Sequence, residues 1–284
     1  MPLVGQGGTV AKKEFLFTQN DFQKVRDLIY ARAGISLGDG KQEMVYSRLA
    51  RRLRAHGLTT CAAYLKLLFD HADGAEWEFF INALTTNLTA FFREAHHFPI
   101  LASHVRRQKA PIVLWSCASS TGEEPYSMAI AACEAFDMAS PPVSILATDI
   151  DTQVLAAAGA GIYPLNRLGG LSEERMQRYF LRGCGQQTGF VRVRQELRNL
   201  VSFKRLNLLS DDWDLRKPVD AIFCRNVMIY FDKSTQVKIL RRFAPLLKVD
   251  GLLFSGHSEN LAFVSDLFTL KGKTVYAQNQ KISA

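Results

Sequence analysis

The stretch "SSTGEEPYS", residues 119–127, follows the apolar run "IVLWSCA" and precedes "MAIAACEAF". The first run reads as a buried strand and the last as a helix, which makes the stretch a tight glycine turn between them. Turns of this kind cradle phosphates with backbone N–H groups and a helix N-terminus. This one carries Glu123 and Glu124 and no lysine, and two carboxylates would repel a phosphate. Three other apolar runs also end in residues that can do chemistry. "SILATDID" ends in Asp149 and Asp151, "FKRLNLLSD" runs into Asn207 and Leu208, and "DAIFCRNVMIYF" runs into Arg225 and Asn226. An acidic residue closing the second strand can accept hydrogen bonds from two vicinal ribose hydroxyls. An amide beside an apolar side chain suits the edge and face of a purine. The four ends together fit a nucleoside that lacks a phosphate chain.

S-adenosylmethionine is such a ligand. Its sulfonium is cationic, which suits carboxylates at the glycine turn. NAD fits worse, because the full G-x-G-x-x-G spacing is absent and the glutamates stand where pyrophosphate would lie. The two glutamates could also serve only to complement a helix dipole, with Pro125 early in that helix. That explains the turn but not the other three strand ends. A second polar string, "LTTNLTAFFREAHHF" at 84–98, sets Asn87, Thr89 and Arg93 among Leu88, Phe91 and Phe92. A helix cap needs one such residue, not a series.

The elements that must position these residues fall into two textures. From Phe15 to about Ala90 the pattern is helical. "DFQKVRDLIYARAG" has Phe22, Val25, Leu28 and Ile29 at helical spacing and stops on Gly34. "KQEMVYSRLARRLRAHG" carries a Val45–Leu49–Leu53 stripe and stops on Gly57, and "TTCAAYLKLLFDH" and "EWEFFINALTTN" read as two further helices. From Ile112 short apolar strands alternate with helices, the mark of an α/β domain with a doubly wound, mostly parallel sheet. Residues 1–90 are expected to form a helical domain with a flexible leader at 1–14. Residues 91–284 are expected to form the ligand-binding domain. Within it, "GFVRVRQELRNLVSF" alternates apolar and basic residues, predicting a small antiparallel β-subdomain over about 172–203.

Composition narrows the class. The chain has 284 residues, 48% hydrophobic and 22% charged, as in ordinary globular proteins. No apolar run approaches the ~20 residues of a membrane span, so no membrane insertion is expected. The N-terminus has no signal-peptide core. Five scattered cysteines without a C-x-x-C argue for a reducing cytoplasm and against a zinc site. His96 and His97 have no evident ligand beside them, so no metal is expected. The net charge of +8 permits either nucleic acid or an acidic protein as partner.

"LTTNLTAFFREAHHF", "WSCASSTGEEPYS", "ATDID" and "FCRNVMIYFDK" together resemble the CheR family, the chemoreceptor glutamate methyltransferases of bacterial chemotaxis. The resemblance runs from about Phe15 to about Ala277. It implies a helical N-terminal domain, a class I methyltransferase domain and an inserted β-subdomain. It implies methyl transfer from S-adenosylmethionine to receptor glutamates, with S-adenosylhomocysteine as product and sensory adaptation as outcome. Cofactor contacts then fall on Asn87, Thr89, Arg93, Glu124, Asp149, Asn207, Leu208, Arg225 and Asn226. Between the adjacent Glu123 and Glu124 the resemblance does not choose firmly.

A glutamate of ordinary pKa, about 4.3, is already ionised at neutral pH, so the reaction calls for alignment and not for a general base. Arg93 and Tyr230 are the candidates to position the incoming carboxylate, and Arg93 could instead clamp the cofactor's methionine tail. On the second helix Arg51 and Arg54 lie opposite the apolar stripe while Arg48 and Arg52 flank it, a basic face suited to glutamate-bearing receptor helices. The glycine-rich "LRGCGQQTGFVRV", with Gly183, Gly185, Gly189 and Arg192, could hold a receptor C-terminal peptide as an added strand, as some family members do. The expected protein is a cytoplasmic monomer that binds chemoreceptor cytoplasmic domains. Two rival readings are a nucleic-acid methyltransferase and a non-catalytic cofactor-binding adaptor. "RNVMIY" lacks the prolines of the Asn-Pro-Pro-Tyr signature, against the first.

Overall fold

The computed structural model describes residues 13–72, 74–215 and 218–279. Most of the expected leader therefore lies outside the described residues; at its end Lys13 pairs with Glu43 and Glu14 with Arg54. Four helices come first: α1 (Gln19–Ala33), α2 (Gln42–Ala55), α3 (Cys61–Asp70) and α4 (Glu76–Leu84). Each boundary has a local cause. Thr18 and Asp21 form a reciprocal capping box on α1, whose end is Gly34 at φ 69. Thr60 caps α3 through the N–H of Ala63. The apolar faces of the four helices close on one another in a core that includes Phe22, Val45, Leu49, Tyr64 and Phe80 and ends at Leu84.

After α5 (His97–Val105) strands and helices alternate: β1 (Ile112–Ser116), α6 (Glu123–Phe136), β2 (Val143–Asp149), α7 (Thr152–Ala160), β3 (Ile162–Pro164), α8 (Glu173–Tyr179), β4 (Phe180–Arg182), β5 (Phe190–Val193), α9 (Gln195–Arg198), β6 (Val201–Arg205), β7 (Val219–Cys224), α10 (Lys233–Phe243), β8 (Leu247–Ser255), β9 (Phe268–Gly272) and β10 (Val275–Gln278). Seven strands form one sheet in the order β6-β2-β1-β7-β8-β10-β9. The first five are parallel, and the closing β9–β10 hairpin is antiparallel. Central strands are covered on both faces, so β7 is buried at every position. Ile112 and Leu114 join one core layer with α5 and α6, while Trp115 joins the other with Ile239, Leu240 and Phe243 of α10. This is the doubly wound α/β arrangement expected from the sequence.

A second sheet, β3-β5-β4, is antiparallel. It differs in extent from the expected 172–203. It begins at Ile162, and the later part of that span, Val201–Arg205, is a parallel edge strand of the large sheet beside β2. The two-residue alternation in "VSFKR" marks a half-buried strand but does not reveal the direction of its neighbour.

Candidate functional site

The chain runs outward from β1 and from β7 in opposite directions across the sheet, so the crevice between their carboxyl ends is the switch point of the fold. A cleft opens there with about 960 Å³ of atom-free space, counting its mouth. β1 supplies Cys117, Ala118 and Ser120, and α6 supplies Glu124. Asp149 and Ile150 follow β2, Leu206, Asn207 and Leu208 follow β6, and Arg225, Asn226 and Val227 follow β7. Residues 84–89 and Arg93 close the opposite wall, joined by Ala33 and Ile35 from the N-terminal helices and by Tyr230 and Phe231. Asn87, Thr89, Arg93, Glu124, Asp149, Asn207, Leu208, Arg225 and Asn226, together with Tyr230, thus border one cleft.

The two glutamates of the glycine turn part company. Glu124 faces the cleft, where it accepts the Ser116 hydroxyl at 2.8 Å and Arg225 Nη1 at 3.1 Å. Burial raises its pKa against the opposing pull of Arg225 and Ser116. Glu123, fully buried, takes the Thr121 hydroxyl at 2.6 Å and faces Arg167 at 3.2 Å, away from the cleft. Asp149 accepts the N–H groups of Ser120 (2.8 Å) and Asp151 (3.0 Å). Burial nonetheless pushes its carboxyl up to about 6. Asp151 caps α7 and takes the Asn87 amide at 2.8 Å and the Thr85 hydroxyl at 2.8 Å, which pins the polar string to β2.

Arg225 is buried and links three groups: Glu124, the Arg93 carbonyl and Glu94. Phe92 and Glu94 sit at φ 51 and 55, backbone strain of the kind that collects at functional sites. That bend corrects the reading of His96 and His97 as lacking a carboxylate at ligand spacing. Glu94, His96 and His97 bring three possible ligand atoms within 4.8 Å of one another. His97 Nε2 lies 2.9 Å from the Lys273 carbonyl, which only accepts, so Nε2 carries the proton. Burial and the Arg225 charge lower the His97 pKa to about 4. A cation already faces Glu94, since Arg225 Nη2 is 3.4 Å away.

Several expected ligand groups are also structural ties. Asn207 donates to the Arg32 carbonyl at 2.8 Å and accepts the Leu209 N–H. Asn226 donates to Glu94. Arg93 donates to the Leu88 carbonyl at 2.8 Å. Sequence reasoning passed over Glu94, although it lies within the quoted string, and also Glu259 and Gln236, which contact only backbone of the rim. Glu259 follows the run "GLLFSGHS", and its place after a strand was the available signal.

Of the four arginines on α2, three have partners. Arg48 donates to the carbonyls of Leu84 (3.0 Å) and Thr85 (2.7 Å). Arg52 forms a two-bonded pair with Glu76, and Arg54 pairs with Glu14. The reading of this helix as a face free of acidic partners is therefore corrected: the carboxylates come from elements distant in sequence. Arg51 is exposed on the same helix. In the small sheet, the outward face carries Ile162, Leu181, Phe190 and Arg192, all exposed. Arg192 lies in register between Ile162 and Leu181. Gly183 has no room for a side chain, because a Cβ there would lie 2.1 Å from the Gln187 carbonyl oxygen. Gly185 and Gly189 have positive φ, 57 and 90, in open space.

Comparison with known proteins agrees with this geometry. Residues 87–277 match the family model of the CheR methyltransferase S-adenosylmethionine-binding domain, and residues 20–85 match that of the CheR all-alpha domain. The chain is 59% identical to the chemotaxis protein methyltransferase of Salmonella typhimurium over 256 residues, 90% of this chain and 89% of that one. It is 56% identical to the Escherichia coli protein of that name, over 90% of each chain. It is 51% identical to chemotaxis protein methyltransferase 2 of Pseudomonas aeruginosa over 282 residues, 98% of this chain and 99% of that one. With both of its parts matched and such identity along nearly its whole length, the chain belongs to the CheR methyltransferase family.

Proposed function

We propose that this protein transfers a methyl group from S-adenosylmethionine to glutamate side chains of chemoreceptor cytoplasmic domains, forming methyl esters. One observation carries the reading. The cleft joins an acidic, nucleoside-compatible floor to a mouth where Arg93 and Tyr230 border the same space. When bound, S-adenosylmethionine supplies an electrophilic methyl carbon on a sulfonium. Asp149 is placed for the ribose hydroxyls, and Leu206, Leu208 and Ile150 offer apolar surface to the base. Glu124 and the carboxylate of Glu94 hold Arg225 between them, and Arg93 is placed either for the methionine carboxylate or for the incoming glutamate. Tyr230, half-buried, can orient that glutamate with its hydroxyl. The bond formed is oxygen to methyl carbon and the bond broken is carbon to sulfur. No proton moves, so these residues need only desolvate and align the pair, which in good cases lowers a barrier by roughly 7–11 kcal/mol.

The outward face of the small sheet supports a second contact. An added peptide strand on β3 or β4, with side chains against Ile162, Leu181 and Arg192, would tether the enzyme to a receptor tail at an effective concentration of about millimolar. We read the enzyme as a metal-independent cytoplasmic monomer; among the described residues no helix is long and apolar enough to cross a membrane. The test is transfer of radiolabelled methyl groups to receptor cytoplasmic domains and, separately, to total RNA. Label on receptors that base releases as methanol is expected. Label on RNA, or base-stable label on protein, overturns the reading.

A further inference from the structure

The segment from Asn226 to Phe231 carries two of the groups assigned above, Asn226 and Tyr230. It leaves β7 with Asn226 in the left-handed region at φ 57 and makes one 3-10 turn, Met228–Tyr230. Such a turn has few bonds of its own: Tyr230 N–H to the Val227 carbonyl and Phe231 N–H to the Met228 carbonyl. Nothing in that short pattern fixes where the Asn226 and Tyr230 side chains point.

Two buried side chains from other elements grip the segment from opposite sides. Glu259 accepts the N–H of Met228 on one oxygen at 2.8 Å, and the N–H groups of Asn226 (2.9 Å) and Gly256 (2.6 Å) on the other. Gln236, on α10, uses its amide nitrogen to donate to the carbonyls of Met228 (2.8 Å) and Phe231 (2.9 Å). The chemistry is matched, since an acceptor-only carboxylate meets donors and an NH₂ group meets acceptors. Gly256 lets the two strands of chain approach. A Cβ there would lie 2.8 Å from the Asn226 nitrogen and 2.7 Å from a Glu259 oxygen. A third tie reaches in from the N-terminal helices, where Ser36 N–H donates to the Tyr230 carbonyl at 2.8 Å.

We propose that Glu259 and Gln236 are positioning residues for methyl transfer, a two-sided clamp that aims Asn226 at the cofactor and Tyr230 at the incoming carboxylate. The Tyr230 half rests on the glutamate-methylating function proposed above; the Asn226 half needs only cofactor binding. Glu259→Gln keeps the shape but turns one acceptor into a donor facing backbone N–H groups. Gln236→Glu sets acceptors against carbonyls. Each is expected to lower kcat on a receptor cytoplasmic fragment about tenfold to a hundredfold, as misplacement of a reacting group does, with receptor KM within about threefold. On a Tyr230→Phe background each is expected to cost less than about threefold more, because residues acting as one unit are not additive. Titration with S-adenosylhomocysteine reads the Asn226 half, and its affinity is expected to fall about fivefold in both variants. Wild-type kcat together with wild-type affinity in both variants overturns the clamp. So do losses that add in full to an impaired Tyr230→Phe and track the thermal midpoint. If no receptor glutamate is methylated, or Tyr230→Phe is fully active, the functional reading fails at that point and the S-adenosylhomocysteine titration alone decides the clamp.

Discussion

Asp149 stands at the end of β2 with its carboxyl raised to about 6 by burial, although two backbone N–H groups donate to it. Ribose hydroxyls donate to an ionised carboxylate better than to a protonated one. Affinity for S-adenosylhomocysteine is therefore expected to fall as pH drops from about 7 to 5, and binding near pH 6 should release a proton. Stability responds in the opposite sense. A raised folded pKa means that the folded protein holds this proton more tightly than the unfolded chain. Stability contributed by protonated Asp149 is then lost as pH rises from about 4 to about 6. Asp149→Asn should remove both dependences and weaken the ligand by ~1.5–3 kcal/mol, the worth of a charged hydrogen bond. Calorimetry across pH in the two proteins checks this, and a flat pH profile in wild type would count against the ribose role. Arg93→Ala, measured at saturating S-adenosylmethionine, is expected to lose turnover if the guanidinium also meets substrate. A loss of cofactor affinity alone would confine it to the methionine tail.

At the scale of elements, the small sheet and its loop can be tested apart from the cleft. Arg192 projects from the exposed face of β5, and Gly183 sits where the Gln187 carbonyl leaves no space. Gly185 faces open space, so a substitution there meets only backbone strain. Binding of receptor C-terminal peptides is expected to disappear with Arg192→Ala and Gly183→Ala and to weaken less with Gly185→Ala. Affinity for S-adenosylhomocysteine should be untouched in all three. A peptide panel titrated by fluorescence anisotropy decides this. Peptides that bind none of the proteins, wild type included, while whole receptors are methylated would make the sheet a structural insertion.

At the scale of the molecule, the helical part and the sheet part build the cleft jointly. Asn207 holds the Arg32 carbonyl, Ser36 holds the Tyr230 carbonyl, Tyr30 bonds Asp232, and Gly34 lets α1 end against Leu209 and Phe231. Arg48 belongs to this joint because it fixes the carbonyls of Leu84 and Thr85 just before Asn87. Charge reversal therefore has two distinguishable outcomes. Arg51→Glu is expected to slow receptor methylation at low salt, with the deficit shrinking as screening shortens to about 8–10 Å, and to spare the cofactor. Arg48→Glu is expected to weaken S-adenosylhomocysteine as well, at every salt concentration. Equal cofactor affinity in both variants would show that the Arg48 ties do not shape the cleft.

The sequence by itself determined the strand-end chemistry and the class of sheet, because both are written locally. Buried strands are short apolar runs, their ends must turn polar, and the residues that face a ligand follow within a few positions, as in "ATDID" and "FCRN". It also determined the N-terminal helices, since caps such as Thr18 and stops such as Gly34 act within one turn. Only the tertiary structure decided which glutamate of "GEEP" enters the cleft, because adjacent helical residues point about 100° apart and the neighbours that receive them, Arg225 and Arg167, are distant in sequence. The same holds for the arginines of α2, whose carboxylate partners arrive from Glu14 and Glu76, and for Val201–Arg205, whose alternation did not disclose a parallel neighbour. Glu259 and Gln236 were hidden for that reason: they act on backbone groups, which every residue carries, so no side-chain pattern in the sequence marks the place where they meet.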